Sequence, residues 1–305
     1  FEWLLAAALV YAVLWLLFGF ARLCLRRMGV RELLAVMVQH LLGFLGVLLI
    51  LYQLFCGINY YRPAFSEEEG FVIAEYSEEE LASLCTKLVA QINGTAVLLD
   101  LDSEGRTTVP ATLLEDTDAA MYSLAQLYPT LAGYYPQAKP VFFSNFLSVQ
   151  NVTGIYSPFT IEANYNRDVP AYNLGHTICH ELSHLRGFMR EDEANFIGCL
   201  ACENAEEPYL RYSGYMAAYI YAGNALAAQD MALYAQIASG LCQTAQTDLS
   251  YNSSFWARYQ GVAAEAHEQL NDTYLKANNQ TDGVRSYGRA VDLLLAYERL
   301  QNAGR

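Results

Sequence analysis

The chain has 305 residues, of which 54% are hydrophobic and 16% are charged, whereas about a quarter of the residues in an average globular protein are charged. This composition excludes an intrinsically disordered chain and indicates that part of the protein lies in lipid. Residues 1–55 hold four of the 18 basic and two of the 32 acidic side chains, which leaves 14 basic and 30 acidic ones for residues 56–305. Because such an acidic surface repels phosphate groups, we expect no nucleic acid partner.

Two long apolar segments open the chain, at residues 3–21 and 33–55. Each is long enough to cross about 30 Å of hydrocarbon as a helix. The segment between them, residues 22–32, contains Arg22, Arg26, Arg27 and Arg31. The positive-inside rule predicts a cytoplasmic position for such a short basic loop. The alternative is a secretory signal followed by a buried core helix, but a signal is shorter and is followed by a small-residue cleavage site.

These features predict three parts of the chain. Residues 1–59 form a membrane hairpin whose two helices contact lipid, residues 60–76 form a linker, and residues 77–305 form an extracytoplasmic domain. We therefore expect a multi-pass protein of the cell membrane whose C-terminal domain lies outside the cytoplasm.

The C-terminal domain is predicted to have an α+β fold that is mostly helical. Ser77 and Glu80 form a capping-box pattern, which predicts the start of a helix. Strand-like segments cluster in one block and predict a small sheet with strands at 141–143, 153–156 and 159–164. The rest is expected to be largely helical, with helices that include residues 117–127, 256–277 and 283–302.

Residues 180–184 read His-Glu-Leu-Ser-His, an H-E-x-x-H motif. On a helix the two histidines lie one turn apart on nearly the same face, so both imidazoles can reach one metal ion. Glu181 can accept a proton from a water that zinc has made acidic. We therefore expect one zinc ion per chain. His176, one turn before His180, either contacts the site or is a packed histidine.

A catalytic zinc needs a third protein ligand. On a continuous helix, Glu191 would lie about 10 Å along the axis from the second histidine, too far to bind the same ion. Gly187 can end the first helix and reverse the chain, and a second helix that begins near residue 190 would bring Glu191 back. Glu193 is the alternative third ligand. Asn195, one turn after Glu191, could hold the ligands from behind.

H-E-x-x-H followed by E-x-x-A-N resembles the gluzincin class of zinc metallopeptidases, such as the membrane-bound CAAX prenyl proteases and their bacterial relatives. The resemblance implies a zincin-like domain in which His180, His184 and Glu191 bind zinc, Glu181 is the catalytic base and Asn195 orients the first motif. Two features depart from the pattern, because the gap between the motifs is much shorter here and Asn195 stands where an aspartate is usual.

A longer resemblance covers most of the chain. The membrane hairpin, the sequence Gly-Ile-Asn-Tyr-Tyr-Arg at 57–62, and the motifs at 154–164, 180–196 and 286–295 are similar to a bacterial family of membrane-anchored proteins. That family is a domain of unknown function with a predicted zinc-peptidase fold. The resemblance implies a fold and a metal site but no substrate.

The predicted function is hydrolysis of peptide bonds in peptide or protein substrates near the membrane surface. Residues 155–164 could pair with an extended substrate as an edge strand, and a purely structural sheet is the alternative. Side chains that could stabilise an oxyanion or contact the substrate are His176, Tyr165, Tyr212, Tyr215, Tyr287 and Arg289. The alternative function is a catalytically silent, zinc-binding sensor or scaffold at the membrane.

Overall fold

The computed structural model describes residues 1–25, 29–278 and 289–303. The chain divides into two compact units. The first comprises Phe1–Ile58 and Ser157–Glu162, and the second comprises Asn59–Tyr156 and Ala163–Arg305. The apolar N-terminal helices belong to the first unit, and the H-E-x-x-H motif belongs to the second.

The first unit consists mainly of two helices, α1 (Glu2–Cys24) and α2 (Val30–Phe55). Both are long and apolar enough to cross a membrane, and neither has a buried residue. The two predicted apolar helices are therefore confirmed. The cytoplasmic position of the loop between them stays a prediction, and Arg26 and Arg27 of that loop lie outside the described residues.

The second unit is mostly helical, as the sequence predicts. Its α-helices, in chain order, are α3 (Phe65–Glu68), α4 (Glu78–Ala96), α5 (Leu113–Leu127), α6 (Ser144–Ser148), α7 (Leu174–Leu185), α8 (Glu191–Glu203), α9 (Pro208–Gln229), α10 (Met231–Ala238), α11 (Gln243–Ala257), α12 (Val262–Ala277) and α13 (Ala290–Ala303). The chain also forms 3₁₀ helices at Gly57–Tyr61, Pro129–Leu131 and Ala171–Asn173.

A small mixed sheet of three strands confirms the predicted sheet. Its strands are β1 (Lys139–Pro140), β2 (Gly154–Ser157) and β3 (Glu162–Tyr165). Their order across the sheet is β1-β3-β2, so β2 is an outer strand. β1 runs parallel to β3, with Lys139 opposite Asn164.

The strand predicted at residues 141–143 is wrong. The Val141 amide bonds to the Tyr165 carbonyl at 2.9 Å, but residues 142 and 143 form a turn and α6 begins at Ser144. The Ser144 hydroxyl donates to the Val141 carbonyl at 2.7 Å and accepts from the Arg167 amide at 3.0 Å. This side chain satisfies backbone groups that a longer strand would have paired, and the chain turns instead.

Three predicted helices have different limits in the structure. The helix predicted at 117–127 begins earlier, at Leu113. The helix predicted at 256–277 is interrupted, because α11 ends at Ala257 and α12 begins at Val262. Gly261, directly before α12, has a φ of +153°. Glycine adopts this conformation at little cost, so the chain can change direction there. The helix predicted at 283–302 is described from Ala290 onward, and its first residues lie outside the described part of the chain.

Helix α4 shows how local sequence builds the core of the second unit. The Glu80 amide donates to the Ser77 hydroxyl at 3.2 Å, and the Ser77 amide donates to the Glu80 carboxylate at 3.0 Å. The predicted capping box is therefore confirmed. Buried apolar side chains then recur every three or four residues, at Leu81, Leu84, Cys85, Leu88, Val89 and Ile92. They pack into one core with side chains of α7, α8, α9 and α13, and each large one stabilises the fold by about 2 kcal/mol.

Residues 60–76, interpreted from the sequence as a linker, contribute to this core. Phe65 and Phe71 are buried in it. The ring of Phe65 meets the ring of Phe188 edge to face, with 5.2 Å between the centroids. The segment is therefore packed on the domain and also contacts the chain between α7 and α8.

Candidate metal centre

A tight reversal joins α7 to α8, the two helices that carry the motif residues. α7 ends at Leu185, and the amide of Gly187 bonds to the carbonyl of His184 at 2.9 Å. Gly187 has a φ of +89°, a left-handed conformation that glycine adopts at little cost. α8 begins at Glu191. The reversal expected at Gly187 therefore occurs, and the second helix starts one residue after the expected position.

The reversal brings His180, His184 and Glu191 together. Glu191 Oε2 lies 3.3 Å from His180 Nε2 and 3.8 Å from His184 Nε2. One potential ligand atom from each residue lies within 4.8 Å of the other two. Ligand atoms that surround a tetrahedral zinc at about 2.1 Å are roughly 3.4 Å apart. The three side chains therefore fit around one metal ion.

A hydrogen bond orients the His184 imidazole, and Asn195 lies beside the His180 imidazole. His184 Nδ1 lies 2.7 Å from the Phe188 carbonyl. Since a carbonyl can only accept, Nδ1 carries the proton and the lone pair of Nε2 faces the cluster. The side chain of Asn195 lies close enough to His180 to favour its charged form and so oppose the lowering of its pKa, and Asn195 Oδ1 accepts from the Tyr221 hydroxyl at 2.9 Å. Supports of this kind fix the tautomer and the ring orientation of metal-binding histidines.

Burial keeps these histidines neutral. It lowers the pKa of His180 and the pKa of His184 to about 4, and the negative charge of Glu191 opposes the shift at His184. Burial raises the pKa of Glu191, and His184 opposes that shift. At neutral pH both imidazoles are therefore uncharged, which is the form that binds metal ions.

Glu181 lies beside the cluster and is only 4% exposed. Burial and, after it, the charge of Glu191 raise the pKa of the Glu181 carboxyl group well above its usual value, while a hydrogen bond from the Tyr156 backbone opposes the shift. Glu181 Oε2 has no hydrogen-bond partner within the described chain. A buried carboxylate oxygen without a partner is destabilising. This atom therefore fits a site that a bound cation or a ligand donor completes.

Strand β2 packs directly against Glu181. A Cβ atom at Gly154 would lie 2.4 Å from Glu181 Oε1, so the observed approach requires glycine. Tyr156 shares a strand face with Gly154 because side chains alternate along a strand, and its ring centroid lies 6.4 Å from that of His184. Tyr156 is not among the site residues predicted from the sequence. The Gly-x-Tyr spacing within a predicted strand was the signal that could have identified it.

Two further predicted residues lie near the cluster with other partners. Glu193, the alternative third ligand, accepts from the Phe65 amide at 2.8 Å and from Arg190 at 3.2 Å, and it is not part of the ligand cluster. His176 Nε2 lies 3.1 Å from the Asn195 backbone carbonyl, and burial lowers the pKa of His176 to about 4. His176 is therefore a packed, hydrogen-bonded histidine behind the candidate ligands.

Three of the tyrosines predicted to contact a substrate are buried or interact with residues away from the cluster. Tyr165 is buried in the core. The Tyr212 hydroxyl donates to Asp248 Oδ2 at 2.9 Å. Burial and the charge of Glu203 raise the pKa of Tyr215, and Glu203 is at the opposite end of α8 from the ligand cluster. These positions do not favour a direct role at the metal centre.

Arg289 and Tyr287 complete the predicted set. Arg289 Nη2 lies 3.6 Å from Asp192 Oδ2, in the first turn of α8. This ion pair brings the start of α13 near the start of α8. Tyr287 lies outside the described residues.

Comparisons with known proteins identify a family and no activity. No curated protein and no solved structure matches the chain. The model of a family described as "Protein of unknown function (DUF3810)" matches residues 1–295. The expected similarity to a family of unknown function is thus confirmed, and the gluzincin part of that expectation stays a prediction. The chain belongs to the DUF3810 family.

Proposed function

We propose that this protein is a membrane-anchored, zinc-dependent metallopeptidase with a zincin-like domain. One observation carries the proposal: two neutral imidazoles and a carboxylate converge at the α7–α8 reversal, and a second buried carboxylate, Glu181, lies beside them. Two histidines and one glutamate form one of the donor sets of catalytic zinc sites, which keep a fourth position open.

In this proposal His180, His184 and Glu191 bind one zinc ion per chain. The bound ion would lower the pKa of a water molecule and polarise the substrate carbonyl. Glu181 accepts the proton of the attacking water and passes it to the leaving amine. Burial raises the pKa of Glu181 above its ordinary value, which makes its carboxylate a stronger base than that of an exposed glutamate.

An extended peptide is the substrate class that β2 favours. β2 is an outer strand of the sheet, and its Gly154 contacts the proposed base. A peptide added to this edge as a further strand would carry its backbone past the cluster. Tyr156, on the same face of β2, is the proposed donor to the oxyanion. With the two apolar helices in the membrane and the domain outside the cytoplasm, the substrates are chains exposed near the membrane surface.

The test is the zinc content of the full chain, purified in detergent without chelators and equilibrated with zinc. We expect about one zinc per chain and a loss of at least tenfold in affinity for His184→Ala and Glu191→Ala, because each removes a ligand. Glu181→Gln is expected to keep zinc and to lose cleavage of a peptide library, because an amide cannot accept the proton.

His267→Ala is the matched control, because this histidine lies on α12 and outside the cluster. A folded wild-type chain that binds no zinc would overturn the proposal, as would unchanged zinc affinity in both ligand variants. Zinc binding without hydrolysis of any peptide would favour the silent sensor or scaffold instead.

A further inference from the structure

The segment that follows α2 in the sequence contacts the α7–α8 reversal through Arg62. Arg62 Nη1 donates to the Arg186 carbonyl at 3.1 Å, and the guanidinium carbon lies 3.9 Å from the ring centroid of Phe188. Arg62 Nη2 pairs with Glu68 Oε2 at 2.9 Å. A planar guanidinium that stacks on a ring and donates in two directions has few alternative orientations. Arg62 is therefore a fixed contact on the reversal.

The same segment also holds the start of α8. The Phe65 amide donates to Glu193 Oε1 at 2.8 Å. Arg190 donates to the same oxygen at 3.2 Å and to the Arg62 carbonyl at 3.4 Å. Glu193 is only 3% exposed, so these bonds lie in a region of low dielectric where they are strong. The first turn of α8 is thus tied to residues 62–65.

The residues that Arg62 and its neighbours contact are adjacent to two of the proposed ligands, His184 and Glu191. Phe188, on which Arg62 stacks, supplies the carbonyl that orients His184. Glu191 lies between the two residues that this segment holds, directly after Arg190 and two positions before Glu193. Gly187 lies between His184 and Glu191 in the chain, and a Cβ atom at Gly187 would lie 3.4 Å from Arg62 Nη1. The guanidinium therefore closely covers the middle of the reversal.

We propose that Arg62 is a positioning residue of the metal centre. It holds the α7–α8 reversal in the one geometry that keeps His184 and Glu191 within reach of the same ion. The inference rests on the proposed function, because it assumes that the cluster binds a metal ion. Arg62 follows the last residue of α2, Phe55, by seven positions, so the chain leaving the second apolar helix is part of the support of the site.

The experiment measures metal binding by Arg62→Ala and Arg62→Lys in the full chain, in detergent. Zinc affinity is measured by competition with a chromophoric chelator, and the coordination of Co²⁺ by its visible absorption spectrum. We expect Arg62→Ala to bind zinc about 10- to 100-fold more weakly, the range found when groups behind metal ligands are removed, and to give an altered Co²⁺ spectrum. Arg62→Lys keeps the charge but not the planar stack, and is expected to recover part of the affinity.

The matched control is Arg299→Ala. Arg299 makes a similar set of contacts, with Nε 2.8 Å from Glu80 Oε1 and Nη2 2.8 Å from the Glu75 carbonyl, but these join α13 to the start of α4. Its loss is expected to lower thermal stability by a similar amount and to leave zinc affinity and the Co²⁺ spectrum unchanged. A change of the same size in both alanine variants would make Arg62 a merely structural residue and would overturn the inference.

The remaining outcomes separate the two proposals. Zinc binding by wild type with unchanged affinity in folded Arg62→Ala would overturn the role of Arg62 and leave the metal centre intact. If Arg62→Ala does not fold, Arg62→Lys decides, and wild-type affinity together with a wild-type Co²⁺ spectrum in that variant overturns the inference. A folded wild-type chain that binds neither metal would overturn the proposed function and the inference together.

Discussion

Two buried carboxylates of the second unit, Asp248 and Glu181, differ in how their oxygens are paired. Asp248 Oδ1 accepts from the Thr107 amide at 3.1 Å, and Oδ2 accepts from the Thr107 hydroxyl at 2.6 Å and from the Tyr212 hydroxyl at 2.9 Å. Glu181 has one oxygen without a partner in the described chain, and the negative charge of Glu191 raises the pKa of the Glu181 carboxyl group.

Burial does not distinguish these two acids. They are 2% and 4% exposed, and burial raises the pKa of both carboxyl groups. The difference lies in the donors around them, because three donors satisfy Asp248, whereas Glu181 lies next to a second carboxylate and a pair of imidazoles. A buried acid with a complete set of donors stabilises a fold, and an incompletely paired one beside side chains that could hold a metal ion indicates a candidate functional site.

The largest expected effect is on stability at Asp248. Asp248→Ala leaves an amide and two hydroxyl donors in the core without their acceptor, so we expect the free energy of unfolding to fall by about 3 kcal/mol. Chemical or thermal unfolding of the full chain in detergent measures this loss. Zinc affinity of the folded fraction is expected to stay at the wild-type value, because the donors to Asp248 come from Thr107 and Tyr212, which are not proposed ligands.

Asp230→Ala is the control for that prediction. Asp230 caps α10 by accepting from the amides of Ala232 and Leu233, and the loss of such a cap costs about 1 kcal/mol. If Asp248→Ala destabilised the chain no more than Asp230→Ala, the Asp248 network would not be a stabilising feature and the comparison would fail.

Local signals carried most of what the sequence could predict of the candidate site. The H-E-x-x-H motif, the glycine that ends α7 and the glutamate that begins α8 all lie within residues 180–191, and helical geometry alone relates their side chains. The capping box of α4 is local in the same way. Signals of this kind need no knowledge of which distant elements pack together.

The contacts that support the site were not predictable, because they join distant parts of the chain. Arg62 and the carbonyl of Arg186 are 124 positions apart, and the Phe65 amide and the Glu193 carboxylate are 128 positions apart. Residues 60–76, which contain three consecutive glutamates followed by a glycine, were predicted to be a linker even though Phe65 is buried, since nothing in the local pattern identifies the core in which it packs. The strand predicted at 141–143 is wrong because the hydroxyl of Ser144, the first residue of α6, satisfies the backbone there.

A second prediction concerns the contact between β2 and the proposed base. Gly154→Ala puts a methyl group 2.4 Å from the present position of Glu181 Oε1, so the carboxylate or the strand must move. Misplacement of a catalytic group by about 1 Å can lower turnover by up to about 100-fold, and we expect at least a tenfold loss of peptide hydrolysis with zinc affinity retained. Gly94→Ala, where a Cβ would meet nothing within 4 Å, is the control and is expected to keep full activity. Equal activity in both variants would mean that β2 does not hold the base.

The smallest expected effect is a gain in stability at Glu181. Glu181→Gln keeps the shape of the side chain but removes a charge that is buried and repelled by Glu191, so the metal-free chain is expected to be more stable by about 1 kcal/mol at a pH above the folded-state pKa of Glu181. The sign follows from the raised pKa: the folded state binds the proton more tightly than the unfolded state, so stability from this group is present at low pH and is lost as the pH rises through its folded pKa. The amide removes this loss.

With zinc bound, a nearby positive charge would stabilise the carboxylate and the advantage of the amide should shrink. Thermal unfolding of both chains, with chelator and with zinc, measures the two differences. A destabilised metal-free Glu181→Gln chain would make Glu181 a structural acid like Asp248.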